Sequence, residues 1–148
     1  MKKYMIVIVL IVGIAGICGL NLLSDYAWTR SETDGFRSMK VKEGTLSNSG
    51  CTVIIENEEK KIFPLGIEFW HIEKLENGEW KDVPFLSDGR WSHAIAYQVY
   101  SGDCQEHDIR WDYEVGRLSS GKYRIAVPIY KSTGSGIDDY LYARFIIK

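Results

Sequence analysis

"GRLSSGKYRIAV", residues 116–127, places a leucine, a short polar turn with a glycine, and a tyrosine ahead of an alternating apolar run. Tyr123, Ile125, Val127 and Ile129 share one face of a period-two pattern, which marks a half-buried strand. A tyrosine at the start of such a strand brings an apolar ring with a polar tip, and the tip needs a partner when buried. In antiparallel sandwiches a tyrosine so placed ties its hydroxyl to backbone a few residues upstream, where the chain crosses between sheets. The stretch therefore predicts a tyrosine corner. Leu118 plugs the end of the core, Gly121 permits the turn and Tyr123 makes the bond. The competing reading is an ordinary turn followed by a core tyrosine.

The same period runs outward from this strand in both directions. "CTVIIEN" aligns Cys51, Val53 and Ile55, and "AIAYQVY" aligns Ile95, Tyr97 and Val99. "HDIRWDYE" predicts Ile109, Trp111 and Tyr113 inward, and "YLYARFII" aligns Leu141, Ala143, Phe145 and Ile147. "IEFWHIEKLENGEW" reads as a strand, an Asn77-Gly78 turn and a return strand, because that dipeptide suits a two-residue hairpin. "SMKVKEG" supplies a first strand, and no amphipathic helix follows residue 24. Pro128 cannot donate to a ladder and is expected at a strand end, an edge or a bulge. About seven short strands joined by Gly, Asn, Asp and Ser turns predict an all-β antiparallel sandwich.

Three pieces in order, "VKEGTLSNSGCTVIIEN" (41–57), "IEKLENGEWKDVP" (72–84) and "GRLSSGKYRI" (116–125), resemble a bacterial immunoglobulin-like domain of cell-surface proteins. The resemblance covers about residues 37–148. It implies an immunoglobulin-like sandwich in an extracellular place, and it brings no catalytic residues.

The N-terminus carries a different signal. Lys2 and Lys3 precede residues 4–23, a twenty-residue run without a charged side chain. Such a run spans about 30 Å as a helix, the thickness of a bilayer's hydrocarbon core. The lysines are expected to stay in the cytoplasm, which sends the C-terminus outside. Residues 1–23 read as a signal-anchor or a cleaved signal peptide, the run being longer than an ordinary signal core. A lipoprotein signal at Cys18 fits poorly, since Ile17 stands where a small residue belongs. Residues 24–35 are polar and turn-rich and form a linker, and residues 36–148 form the domain.

Composition narrows the function. The formal net charge is -2 and no basic block exceeds two residues, which excludes nucleic acid as a partner. His71, His93 and His107 lack a second ligand at the spacings of zinc sites, and no metal or other cofactor is expected. Ser92–His93 lies in no G-x-S-x-G turn, and Asp138–Asp139 gathers too few oxygens for calcium. Cys51 begins one strand and Cys104 precedes another. Were those strands antiparallel neighbours, the sulfurs would lie roughly 20 Å apart at ~3.3 Å per residue. A disulfide needs Cα atoms within about 7 Å, so a Cys51–Cys104 bridge is disfavoured and Cys51 is expected in the core.

Aromatic residues are the enriched class, with five Trp, nine Tyr and five Phe. Core packing explains most of them. Trp80 and Trp91, near turns, are the candidates for surface contact with a protein or glycan of the cell envelope. The sequence thus predicts a binding or structural module held to the membrane through residues 4–23, or secreted if that segment is cleaved. An accessory or sensory protein contacting a membrane partner through its helix is the alternative, though Gly13, Gly16 and Gly19 lack the G-x-x-x-G spacing. A small extracellular hydrolase has no identifiable nucleophile.

Overall fold

The computed structural model describes residue 28 and residues 36–87, 96–132 and 136–148. The apolar run at 4–23 lies outside these, as do Trp91, His93, Ile95 and residues 24–35 apart from Trp28. No helix among the described residues is long and apolar enough to cross a membrane.

Period-two alternation becomes nine strands among the described residues: β1 (Arg37–Val41), β2 (Gly50–Asn57), β3 (Phe63–Leu65), β4 (His71–Glu76), β5 (Glu79–Asp82), β6 (Tyr97–Val99), β7 (Cys104–Arg110), β8 (Gly121–Tyr130) and β9 (Ile137–Ile147). A 3-10 turn, Ile67–Phe69, replaces the start of what reads in the sequence as one strand. The short Pro64-containing β3 was not among the expected strands and adds to their number. The hairpin at Asn77-Gly78 forms as predicted, with both residues at positive φ (54° and 84°). Those values match the right-handed twist of the flanking strands.

All pairs are antiparallel. One sheet has the order β1-β2-β7 and the other β5-β4-β8-β3-β6, with β9 on the remaining side of β8. β8 is the spine of the larger sheet. It pairs with β9 along its length, with β4 over Tyr123–Ala126, and with β3 at Ile129. Pro128 lies near the end of β8, just before the register irregularity at Ile129/Tyr130.

The core fills the space between the sheets. Met39, Val53 and Ile55 from the small sheet, and Leu65, Ile72, Val99, Ile125, Val127 and Ala143 from the large one, are fully buried. Trp111 stacks on Phe145 (centroids 5.5 Å), and Phe145 stacks on Tyr123 (5.6 Å). Asn57, 1% exposed, is the buried polar residue among those described. Its side-chain amide donates to the Lys61 and Val99 carbonyls, and its oxygen accepts from the Glu59 amide. It thereby ties the end of β2 to the turn after it and to β6.

Two inward assignments do not hold. Tyr113 is 85% exposed, because β7 stops at Arg110 and the Trp111 carbonyl then accepts the amides of Glu114, Val115 and Gly116. That tight turn throws Tyr113 outward. Tyr97 is 38% exposed, and its ring packs edge-on against His107 instead of entering the core.

Candidate functional site

The crossing from the small sheet to the large one is built around Tyr123. Its hydroxyl donates to the Ser119 carbonyl at 2.9 Å, four residues upstream, and lies 3.3 Å from the Ser119 hydroxyl. Leu118 is buried, and its amide donates to Asn48 on the loop before β2. Gly121 serves otherwise than expected. It is already in β8, opposite Ile147, and its φ is not positive. A side chain there would stand 3.2 Å from both Lys74 and the Tyr123 ring. The left-handed glycine of this crossing is Gly116, at φ 85°.

The cysteines lie on neighbouring antiparallel strands with Cys51 opposite Ile109 and Cys104 opposite Glu56. Both are free, Cys51 buried and Cys104 exposed. Burial, helped by the Asp108 carboxylate, pushes the Cys51 thiol up to about 12, so it is inert as a nucleophile at neutral pH.

The outward side of the large sheet gathers side chains that the sequence scatters. Strand register sets His71 and Glu73 of β4 beside Ala126 and Arg124 of β8, and these beside Tyr142 and Arg144 of β9. On the other flank Glu73 faces Asp82, and Leu75 faces Trp80. Arg124 is the hinge of this surface. Its guanidinium lies 4.1 Å over the Tyr142 ring and 4.5 Å from that of Trp80. Its Nε donates to the Glu73 carboxylate. Both charged side chains are about 15% exposed (15% and 14%), so the pair is screened from bulk water on most sides. The rings hold the cation through their negative faces. Burial pushes the Tyr142 phenol up, opposed in part by the Arg124 charge.

Rings continue along this face in both directions. Tyr142 neighbours Tyr140 (6.2 Å), and Tyr140 meets His71 edge-on (5.6 Å). Beyond them Tyr130 and Phe69 meet edge-on at 6.2 Å and line a shallow cavity of about 350 Å³ with Pro64, Ala96 and Gln98. At the other end, Trp28, ahead of β1 in the chain, sits 6.0 Å from Trp80, with Lys122 5.1 Å and Arg144 5.7 Å from its ring. Trp80 is half-buried, one member of a ladder of rings and cations.

The ligand atoms of His71, Glu73 and Asp82 lie within 4.8 Å of one another, and His71 Nε2 is 3.8 Å from Asp82 Oδ1. A divalent ion could draw on these three if Arg124 released Glu73. Zinc-type sequence spacings do not reveal this trio, because a strand brings i and i+2 to one face and its neighbour supplies the third group. His107, on the small sheet, is held below the usual histidine range by burial.

A family model described as "Bacterial Ig-like domain" matches residues 34–141. No curated protein matches the chain.

Proposed function

The chain belongs to the bacterial Ig-like domain family, and on that footing we propose that it is a membrane-tethered, outward-facing module that acts by binding at the cell envelope. Residues 1–23 anchor it, residues 24–35 link, and residues 36–148 form the module. The family supports an extracellular place, and Lys2 and Lys3 before the uncharged run support the same orientation. The observation that carries binding is the ladder Trp80–Arg124–Tyr142 on the outward side of the large sheet. Large rings and arginine concentrate binding energy when they converge on a surface. Water alone would be met as well by short polar groups. The contact is with a component of the envelope, and no catalytic step is assigned.

Cys104 supplies the test of placement, since it is exposed whereas Cys51 is buried. A membrane-impermeant maleimide applied to intact protoplasts should label Cys104 on a membrane-bound chain. Labelling only after lysis overturns the outward orientation, and label found in the medium overturns the tether. A photo-crosslinking residue at position 80 should give adducts in the same cells. At position 106, on the small sheet, it should not. Equal adducts at both positions, or none at 80, overturn the assignment of the face.

A further inference from the structure

The binding face and the tether are joined by a short piece of chain, and its length restricts what the face can meet. Trp28 stands five residues beyond Leu23, the last of the uncharged run. Even fully extended that stretch reaches at most roughly 18 Å. A folded unit of about a hundred residues is roughly 34 Å across. The Trp28 end of the sheet is therefore held within about half the domain's own width of the bilayer.

Trp28 is also in the position where tryptophans settle at a membrane–water interface, just beyond a spanning segment. Its ring lies against Trp80, Lys122 and Arg144, so whatever depth Trp28 takes, these three share within about one ring's width. Their chemistry suits that level. Tryptophan and tyrosine carry an apolar body with a polar tip, and lysine and arginine can lay their stems along apolar surface while the charge stays in water.

Charge is distributed in the same sense. The face presents Lys122, Arg124 and Arg144 against the carboxylates Glu73 and Asp82. Glu73 is taken by Arg124, and Asp82 lies toward His71. Lys122 and Arg144 border Trp28, so the cations cluster at the tethered end although the chain as a whole is negative.

We infer that the outward face of the large sheet, around Trp80, Lys122 and Arg144, rests on the outer surface of the membrane that carries residues 4–23. The rings sit at headgroup level and the cations meet anionic headgroups. This rests on the tethered reading above and names the partner of its binding face as the lipid surface. The small sheet, with Cys104 and Glu106, then points away from the membrane.

The test uses the full chain in vesicles of phosphatidylglycerol and phosphatidylcholine containing a lipid with a nitroxide on its headgroup. A fluorophore is placed at Ile146→Cys, which shares the face of Lys122, or at the native Cys104 on the other sheet. Cys18→Ala removes the third reactive thiol, and Cys104→Ser is added for the label at 146. Strong quenching at 146 with little at 104 is expected. Lys122→Glu, at an exposed position, should lower the docked-to-undocked ratio at least about fivefold on the anionic vesicles, since one cation near an anionic surface contributes about that factor. Equal quenching at both sites, or quenching at 146 indifferent to Lys122→Glu, overturns the proposal. So does protection of the 146 label by soluble envelope polysaccharide or protein in place of lipid. Flotation of the chain with neutral vesicles in high salt reads the tether separately. Flotation without quenching at 146 removes the lipid contact alone, and failure to float removes the tether and this inference with it.

Discussion

Tyr123→Phe isolates a single interaction at the crossing between the sheets. The substitution deletes the hydroxyl that donates to the Ser119 carbonyl at 2.9 Å and keeps the ring stacked on Phe145. Tyr123 is 2% exposed, so the phenylalanine ring occupies the same space with no new contact to make. The net worth of such a bond is about 0.5–1.5 kcal/mol, and a buried group left without a partner costs about 1–3 kcal/mol. Here the orphan would be the carbonyl of Ser119, an exposed residue that water can reach. The loss should therefore fall at the low end, about 1–1.5 kcal/mol. For a folded unit of this size that lowers Tm by roughly 4–6 °C. The assay is thermal unfolding of the full chain in a membrane mimetic, followed by near-ultraviolet circular dichroism of the Trp111–Phe145–Tyr123 stack. Tyr130→Phe is the control, because the Tyr130 hydroxyl makes no hydrogen bond among the described residues and should move Tm little. Equal melting of Tyr123→Phe and wild type would refute the reasoning. It would mean that Tyr123 acts only by filling space.

Other sites give independent expectations. Asn57→Ala removes three hydrogen bonds at a buried position and should cost about 2–4 kcal/mol in denaturant unfolding; Asn57→Asp should cost more, because a carboxylate would face two carbonyls. The Cys51 thiol has a folded-state value of about 12 against 9.0 for the free group. The unfolded chain therefore loses that proton first, and stability falls as pH rises from about 9 to about 12 at ~1.4 kcal/mol per pH unit. Cys51→Ala should flatten the profile by about that slope, and parallel profiles would contradict it. A double-mutant cycle on Glu73 and Arg124 should give a coupling of about 1–2 kcal/mol that salt barely reduces, because the pair is mostly shielded. The exposed Lys40–Glu56 pair should give at most about 1 kcal/mol and lose it in salt.

The strands were legible because a half-buried strand writes its two environments into alternate residues. β2 and β9 carry that alternation over seven and eight positions, and the Asn77-Gly78 turn has a local cause that needs no neighbours. β3 was not legible. It is three residues long and contains Pro64, and it is a strand because β6 and β8 lie beside it. Tyr113 misled for the opposite reason, since an alternating pattern can run on past the last paired residue into a turn. The bond of Tyr123 was foreseeable from its place in the sequence, whereas the actual work of Gly121 was not. The closeness of Lys74 to Gly121 arises only when β4 pairs with β8.

By itself the sequence determined the all-β class, the hairpin, the inward faces of the longer strands and the uncharged run ahead of the domain. Each of these depends on residues near one another in the chain, where period, turn chemistry and hydropathy act locally. The outward ladder was decided by tertiary structure alone. Trp28 precedes the first strand, Glu73, Trp80, Arg124, Tyr142 and Arg144 come from four strands, and no local pattern relates them. Antiparallel register sets Glu73 beside Arg124 and Arg124 beside Arg144. A shift of one residue in either pairing would turn the slipped strand's side chains to the other face. The core fixes that register by requiring Ile72, Ile125 and Phe145 inside, and so the burial of one face assembles the chemistry of the other.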